Sequence, residues 1–317
     1  MKNKFIMRNL TFLFLAIWIT SSCEKEPERP VFPLSAEVFF SVKDKQVAFT
    51  ALTHSATSWT WDFGDGKSST EKNPVHAYEV GGYYVAKLTA KDDEGNTVSK
   101  EVKLAIALTP YALLTGDHTA TGYKGKTWKL MADHVTGGDY FANANADFTT
   151  VSGTPRPLTV GIFDLQFGMG NIYKDEYTFY HDGKYGHDVK EDGGSFGGYL
   201  FNMVTGGPSS IINANGAQYG LCIARYTPQA NATFTYVEKE DFAVPSVYGA
   251  GGVITYKNVS TLDFSGNEFI GFRDFQRKVI LRSISNTRMQ LVMFMAAAQS
   301  QVPRNSHALI LSFEAVN

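Results

Sequence analysis

A candidate serine nucleophile is the first feature of chemical interest. Residues 193–197 read Gly-Gly-Ser-Phe-Gly, the G-x-S-x-G spacing that lifts a hydrolase serine on a strained turn between a strand and a helix. A helix would have to begin at Gly197-Gly198, and glycine disfavours helix formation. The sequence therefore predicts a flexible loop here and no catalytic serine.

Potential metal ligands are concentrated in a second stretch, His181–Asp188, which contains two histidines and two aspartates. Its Asp182-Gly183 pair is also typical of a two-residue β-hairpin turn, which explains these residues without a metal. Zinc needs ligands that converge in a tetrahedron, and hairpin residues do not predict this. We expect no metal and no cofactor, with calcium held by loop carboxylates and carbonyl oxygens as an alternative.

Acidic residues could also act in pairs, because a glycosidase needs two carboxylates roughly 5–10 Å apart. The candidates are Glu176, Glu191, Glu238, Glu240, Asp241 and Glu268. None of them stands in an E-x-D-x-x-E strand pattern, which would place its acids on one face of a sheet. The sequence thus predicts a protein that is not an enzyme, although a carboxylate pair distant in sequence stays open as an alternative.

Aromatic residues beside hydrogen-bonding side chains are the remaining chemical signal. A pyranose has apolar C–H faces and hydroxyl edges, so a ring flanked by Asp, Asn or Arg suits it. We expect the stretches around residues 140 and 272 to contribute most to such a site. The predicted glycan-binding residues are Asp139, Tyr140, Phe141, Tyr199, Tyr248, Phe272 and Arg273.

The charge of the chain argues against one class of partner. The 317 residues carry 29 Lys and Arg against 31 Asp and Glu, a formal net charge of −2. No basic stripe is present that could neutralise a phosphate backbone. We therefore expect no nucleic-acid binding.

The N-terminal segment has the features of a targeting signal. Lys2, Lys4 and Arg8 precede an apolar run, Leu10–Thr20, that is too short to span a membrane comfortably. Ser21-Ser22-Cys23 follows, and the whole segment resembles a bacterial lipoprotein signal. The resemblance implies a signal peptide at 1–22 and lipidation of Cys23, which would anchor the chain to the membrane. The alternative is an ordinary signal peptide with a chance cysteine.

The segment after Cys23 predicts a disordered tether over residues 23–32, because it is rich in charge and proline. Its acidic start, Glu24-Lys25-Glu26, resembles the surface-export signal of Bacteroidetes lipoproteins. This resemblance implies an outer-membrane protein, lipid-anchored and facing the cell exterior.

Three ordered motifs predict the next domain. Trp61–Gly66 reads WDFGDG, Asn73–Tyr78 reads NPVHAY, and Gly82–Asp92 alternates apolar and polar residues as a half-buried strand does. Together they closely resemble the PKD domain. The resemblance implies an immunoglobulin-like β-sandwich over residues 33–107, acting as a spacer.

Residues 110–317 predict a second and larger all-β domain. Aromatic and β-branched runs alternate with Gly-rich loops, and long helical patterns are missing from the sequence. Leu158–Phe167 and Tyr199–Met203 are among the predicted strands. The fold class is therefore all-β: a PKD-like, immunoglobulin-like sandwich followed by a larger jelly-roll-type β-sandwich.

This larger domain resembles the C-terminal glycan-binding domains of surface lipoproteins from Bacteroidetes polysaccharide-utilisation systems. The resemblance rests on Leu114–Gly116, Gly125–Leu130, and Asp175–Phe179 with Asp182–Tyr185. It implies non-catalytic capture of a polysaccharide or oligosaccharide, with a β-glucan as one candidate, next to an outer-membrane transporter complex. Two alternatives are a glycosidase and a structural or adhesion lipoprotein that binds protein partners.

Overall fold

The computed structural model describes residues 32–148 and 155–316, which form a small β-sandwich followed by a larger β domain. The small sandwich has the strands β1 Ser35–Lys43, β2 Gln46–His54, β3 Ser58–Asp62, β4 Ser68–Ser69, β5 Val75–Ala77, β6 Gly82–Lys91 and β7 Thr97–Ile106. They pair as two sheets, in the orders β1-β2-β5 and β4-β3-β6-β7. The predicted signal peptide, Cys23 and the tether up to residue 31 lie outside the described residues.

Aromatic rings fill the space between these two sheets. Trp61 is fully buried, and its ring centroid lies 4.9 Å from that of Phe49. Phe63 stacks on His76 at 4.0 Å, and His76 Nε2 lies 2.7 Å from Asp65 Oδ2 in the following turn. The alternation of the WDFGDG motif thus places its large rings inside, with Asp62 at the end of β3 and Asp65 in the turn.

A capped helix begins the larger domain. The helix α1, Pro110–Thr115, starts where the Thr109 hydroxyl accepts a hydrogen bond of 3.2 Å from the backbone N–H of Ala112. Pro110 occupies the first turn, where its missing N–H costs nothing. The Leu114 carbonyl then accepts a hydrogen bond of 3.0 Å from buried Trp128 Nε1, which fixes α1 on the larger domain.

The larger domain alternates short helices with strands. Its first part contains β8 Lys126–Leu130, α2 His134–Gly137, β9 Tyr140–Asn143, β10 Arg156–Pro157, α3 Ile162–Phe167, β11 Glu176–Phe179, β12 Tyr185–Asp188, β13 Gly194–Gly198 and α4 Tyr199–Thr205. Its second part contains β14 Ile211–Asn213, β15 Leu221–Arg225, β16 Phe234–Pro245, β17 Val253–Phe264, β18 Val279–Ile284, β19 Arg288–Met295 and β20 His307–Ala315.

Most of these strands form one large antiparallel sheet. Its order is β12-β11-β8-β20-β19-β18-β17-β16, and the short β9-β10 pair joins it along β20. The sheet curls enough for its two ends to meet, since Lys184 and Thr233 form an isolated bridge beside β12 and β16. Tyr185 N–H also donates to the Ala232 carbonyl at 2.8 Å at this junction.

Strand β19 shows how this sheet is covered on both faces. Leu291 and Met293 point into the main core, whereas Val292 and Phe294 point into a second core on the opposite face. All four side chains are buried, which explains why β19 reads as a continuous apolar run.

A small sheet in the order β13-β15-β14 packs on the main core. Its Phe196 and Ile223 belong to the same buried cluster as Leu291 and Phe313 of the large sheet. The prediction of a flexible loop around Ser195 is therefore wrong, because this segment is the strand β13 and every one of its residues is buried. Glycine appears there because the strand is closely packed, not because it is mobile.

Two predicted strands are helices in the structure. Residues 162–167 form α3, in which Phe163 and Phe167 lie one turn apart and are both buried. Tyr199–Thr205 forms α4, in which Thr205 Oγ1 donates to the Phe201 carbonyl at 2.8 Å. In both segments an apolar residue at every second position imitates a strand over a short length, whereas the buried pair of α3 follows the helical period.

The predicted fold class is confirmed by this architecture. The described chain is mostly β-strand, with few and short helices, and an immunoglobulin-like sandwich precedes a larger domain of packed sheets.

Candidate functional site

The candidate site is built where Arg273 and Asp274 lie along β13. Arg273 N–H donates to the Phe196 carbonyl at 3.0 Å, and Gly198 N–H donates to the Arg273 carbonyl at 2.9 Å. A Cβ atom on Gly197 would lie 2.8 Å from that carbonyl oxygen. The glycines after Ser195 therefore let the two backbones touch, which is a packing role. The structure places α4 directly after β13, so the expectation that no helix begins after Gly197-Gly198 is wrong.

A cleft of about 480 Å³ opens at this junction, beside α4. Three guanidinium groups line it, those of Arg225, Arg273 and Arg277. The rings of Phe201 and Phe275 form an apolar part of the wall and meet edge to face at 5.1 Å and 88°. We call this the arginine cleft.

Neutral hydrogen-bonding groups complete its lining. They belong to Asn202, Thr205, Ser210 and Asn267. Asn202 is fixed because its Nδ2 donates to the Gly198 carbonyl at 2.8 Å. The cleft therefore joins aromatic surface with amide, hydroxyl and guanidinium groups in one place.

The Arg273 side chain is held between aromatic rings. Its guanidinium carbon lies 5.1 Å from the ring centre of Phe201, 4.7 Å from that of Tyr226 and 6.0 Å from that of Phe269. Burial lowers the pKa of Arg273, but a guanidinium starts so high that it stays charged. Its buried Nε has no hydrogen-bond partner among the residues that the structure describes.

The other two arginines are held differently. Arg225 is exposed at the last residue of β15. Arg277 donates from Nη1 to the Gly266 carbonyl and to Asn267 Oδ1, the latter at 3.2 Å. Within residues 32–148 and 155–316, none of the three guanidiniums forms an ion pair with a carboxylate.

Asp274 is the one carboxylate among the described residues that line the cleft. It is buried, and its oxygens accept from the backbone N–H groups of Phe275 at 2.6 Å and Ala296 at 3.4 Å. Burial raises the pKa of Asp274 to about 7, because desolvation outweighs these two hydrogen bonds. Near neutral pH the carboxyl group of Asp274 is thus only partly ionised.

A buried polar pair lies behind the cleft. His187 Nδ1 is 3.1 Å from Glu268 Oε2, and both side chains are fully buried. The rings of Tyr226 and Phe269, which contact Arg273, also contact the His187 imidazole at 5.3 and 5.0 Å. The ring of Tyr226 therefore contacts both a guanidinium and an imidazole behind the cleft.

Three of the predicted glycan-binding residues lie in the interior. Phe272 is 1% exposed and packs edge to face on Phe196. Tyr140 is 3% exposed, on β9. Asp139 is buried, with Oδ2 at 2.8 Å from His134 Nδ1 and Oδ1 accepting from Ser312 Oγ at 2.6 Å. These side chains are closed to a ligand in this structure, because flanking polar residues in the sequence do not report burial.

Phe141 lines a different and smaller cleft, of about 240 Å³. One side of its ring stacks on His307 at 4.9 Å, and the Arg156 guanidinium lies 5.1 Å from its centre. Tyr199 is the first residue of α4, and Tyr248 lies 45% exposed in the loop between β16 and β17. Of the predicted residues, Arg273 alone borders the arginine cleft.

Sequence reasoning missed Arg225 and Arg277. Arg277 lies only four residues after Arg273 but has no distinguishing motif, and Arg225 reaches Arg273 only through the fold. The sequence does point towards Phe201 and Phe275, since each lies within three residues of a predicted site residue.

Metal ligands and membrane-spanning helices are two further features to consider among the described residues. No group of three or more His, Cys, Asp or Glu side chains is arranged there to hold a metal ion. Of the helices within residues 32–148 and 155–316, none has the length and apolar character to cross a membrane.

The comparisons with known proteins identify the first domain. Residues 40–106 match the family model of the PKD domain. The PKD segment is also 49% identical over 49 residues to collagenase ColQ1 of Bacillus cereus strain Q1, and 45% identical over 49 residues to collagenase ColA of Clostridium perfringens. These matches cover 16% and 15% of this chain but only 5% and 4% of the collagenases.

Solved structures give weaker likenesses. The PKD1 domain of Vibrio anguillarum Epp is 26% identical, covers 24% of this chain and 95% of its own, and has a TM-score of 0.23. A carbohydrate-binding module of the β-sandwich superfamily is 14% identical, covers 91% of this chain and 94% of its own, and has a TM-score of 0.26. Scores this low do not establish a shared fold, so nothing about a ligand follows from the second likeness. What the comparisons establish is that residues 40–106 of this chain are a PKD domain.

Proposed function

We propose that this chain is a lipid-anchored outer-membrane protein that binds polysaccharide at the arginine cleft without cleaving it. The PKD domain holds the binding domain away from the membrane, and the captured glycan passes to an outer-membrane transporter complex. The observation that carries the proposal is the lining of the cleft, which combines Phe201 and Phe275 with Asn202, Asn267 and the arginines.

The chemistry of a sugar fits this lining. The C–H face of a pyranose packs on a phenyl ring, and its hydroxyls exchange hydrogen bonds with amide and guanidinium groups at the rim. Asn202 and Arg273 are preorganised by contacts to the protein itself, to Gly198 and to the aromatic rings. Binding therefore needs little ordering of these side chains, which favours affinity.

The non-catalytic reading is supported by the carboxylate geometry of the cleft. Glycoside hydrolysis uses two carboxyl groups on opposite sides of the scissile bond. Among the described lining residues Asp274 is the one acid, and both its oxygens face backbone N–H groups. A glycosidase and a lipoprotein that binds protein partners are the competing functions.

The test is a binding survey with the purified full-length chain. Neutral and acidic polysaccharides, a β-glucan among them, would be cast separately in native gels, and retardation would be measured for each. We expect at least one to retard the protein, with no release of reducing ends on long incubation. Failure of every polysaccharide would overturn the proposal, and release of reducing ends would favour the glycosidase.

Two variants place the binding in the cleft. Phe275→Ala should weaken retardation by the best polysaccharide, because it removes part of the apolar wall. Tyr248→Ala removes an exposed ring from the loop between β16 and β17 and should leave retardation unchanged. Equal loss in both variants, or loss in Tyr248→Ala alone, would move the site elsewhere.

A further inference from the structure

The arginine cleft holds more positive charge than a neutral sugar can use. Arg225, Arg273 and Arg277 all line it, and none is paired with a carboxylate in the part of the chain that the structure describes. The chain as a whole has a formal net charge of −2, so this concentration does not reflect a basic protein. Unpaired like charges repel one another, and a cluster of this kind is stabilised when an anion binds.

Nearby acidic groups form no ion pair with the cluster among the described residues. The carboxyl group of Asp274 accepts from two backbone N–H groups and lies in an environment that disfavours its ionised form. Glu268 is fully buried, with Oε2 at 3.1 Å from His187 Nδ1 and Oε1 accepting from the backbone N–H of Gln229. Each carboxyl group is thus committed to other donors.

The orientation of Arg273 also suits an anion. Its planar guanidinium is fixed by the rings of Phe201 and Tyr226, and a fixed fork can donate two parallel hydrogen bonds to a carboxylate or a sulfate. Cation–π contacts leave the N–H edge of the group free to donate. A lysine at this position would supply charge but not the fork.

We propose that the arginine cleft recognises an anionic oxygen group on a saccharide, either the carboxylate of a uronic acid or a sulfate ester. This inference rests on the proposed function, because the saccharide comes from there and the anion comes from the three arginines. Half-buried Phe275 contacts the sugar ring, with buried Phe201 supporting it from behind, and the guanidiniums contact the charged substituent of the sugar. The ligand is then an acidic polysaccharide rather than a neutral glucan.

The experiment measures the affinity of the full-length chain for three classes of oligosaccharide by titration calorimetry. One is a uronate oligomer, one is a sulfated oligomer without uronate, and one is a neutral glucan oligomer of equal length. We expect one of the charged classes to bind at least tenfold more tightly than the neutral one. The charged class that binds identifies the source of the anion.

Matched variants separate the cleft from general charge. Arg225→Gln and Arg277→Gln should each weaken binding of the charged oligomer about tenfold or more. Arg288→Gln removes the same charge from the far end of β19, at the opposite end of that strand from Ala296 beside Asp274, and should change affinity less than twofold. Circular dichroism and the melting temperature check that all three variants are folded.

The outcomes distinguish the two proposals. If the neutral oligomer binds as tightly as the charged ones, or if the cleft variants behave like Arg288→Gln, the anionic inference fails and glycan binding stands. If no oligomer of any class binds, the proposed function fails and the inference fails with it. Arg273→Lys tests whether the guanidinium donates two parallel hydrogen bonds to the anion, because lysine keeps the charge but cannot donate in this way. A large loss of affinity supports this arrangement, and unchanged affinity contradicts it.

Discussion

Gly198 and Asp274 lie so close together that a Cβ atom on Gly198 would be 2.0 Å from Asp274 Oδ2. The carboxyl group cannot withdraw easily, because the backbone N–H groups of Phe275 and Ala296 hold it. A side chain at position 198 would therefore displace the Asp274 carboxyl group, so the arginine cleft requires glycine there.

Gly198→Ala should consequently destabilise the larger domain by about 1–3 kcal/mol, the usual cost of overpacking. Urea unfolding followed by tyrosine and tryptophan fluorescence would measure it. Gly186→Ala is the matched control, since its added Cβ would meet Thr178 at an ordinary 3.5 Å in strand β12. Similar stability of the two variants would contradict the close contact.

The ionisation of Asp274 should make binding of an anionic ligand depend on pH. Its folded-state pKa is about 7, so the cleft gains a negative charge as pH rises through 7 and affinity should fall. Burial raises the pKa of neighbouring Cys222 to about 12, so it stays a thiol over this range.

Calorimetric titrations at pH 6 and pH 8 would check this prediction. We expect the dissociation constant to rise severalfold between them for a charged oligomer and to stay constant for a neutral one. Asp274→Asn, provided it folds, should remove the dependence. Tighter binding at pH 8 would have the wrong sign and would exclude Asp274 as the titrating group.

Asp175 should make folding stability depend on pH. It is 1% exposed, and burial, together with the charges of Asp192 and Asp188, raises its pKa to about 8. Between pH 4 and pH 8 the folded state therefore holds a proton that the unfolded state has released, so this group lowers stability as pH rises. Asp175→Asn should stabilise the protein on the order of 1 kcal/mol or more at pH 8 and little at pH 4.5, as measured by urea unfolding. A gain that is equal at both pH values would contradict the assignment.

Trp61 should determine the stability of the PKD domain. It is fully buried against Phe49, and its Nε1 donates to the Lys72 carbonyl at 3.3 Å. Trp61→Ala should lower the free energy of unfolding of this domain by roughly 3–5 kcal/mol. Half-buried Trp59 is the control, and its replacement by Ala should cost clearly less. Calorimetric melting would report both, and glycan binding measured below the melting range should not change.

Cys23 should determine attachment to the membrane. It lies outside the described residues, and the prediction follows from the signal-like segment that precedes it. Cys23→Ala should move the protein from the membrane fraction to the soluble fraction, because stable anchoring needs lipid chains on that residue. Fractionation followed by immunoblotting measures this. A variant that remains on membranes after a salt wash would exclude lipidation as the anchor.

The PKD domain could be predicted from sequence because its signals are local. Trp61, Phe63 and the Gly64–Gly66 turn determine one another within a few residues, and strand periodicity does the rest. Local signals are also why α3 and α4 are predicted as strands. Each helix has only six or seven residues, and so short a segment can fit both the strand period and the helix period. The glycines of β13 predict a loop from sequence, but in the structure they allow close packing of a buried strand.

The candidate site was less predictable because it is tertiary. Arg225, Arg273 and Arg277 come from a strand end and a loop, and the antiparallel pairing of β13 with β15 brings Arg225 to the others. Aromatic residues such as Phe272 and Tyr140 were expected at the surface, yet sequence neighbours do not determine which side of a sheet a ring occupies.

Strand β19 has a consequence for how the larger domain loses its structure. Its alternate side chains belong to the cores on both faces of the large sheet, so neither core can melt while the other keeps its partner residues. The two cores are thus coupled through one backbone. Residues 110–316 should accordingly unfold as a single cooperative unit and not as two successive subdomains.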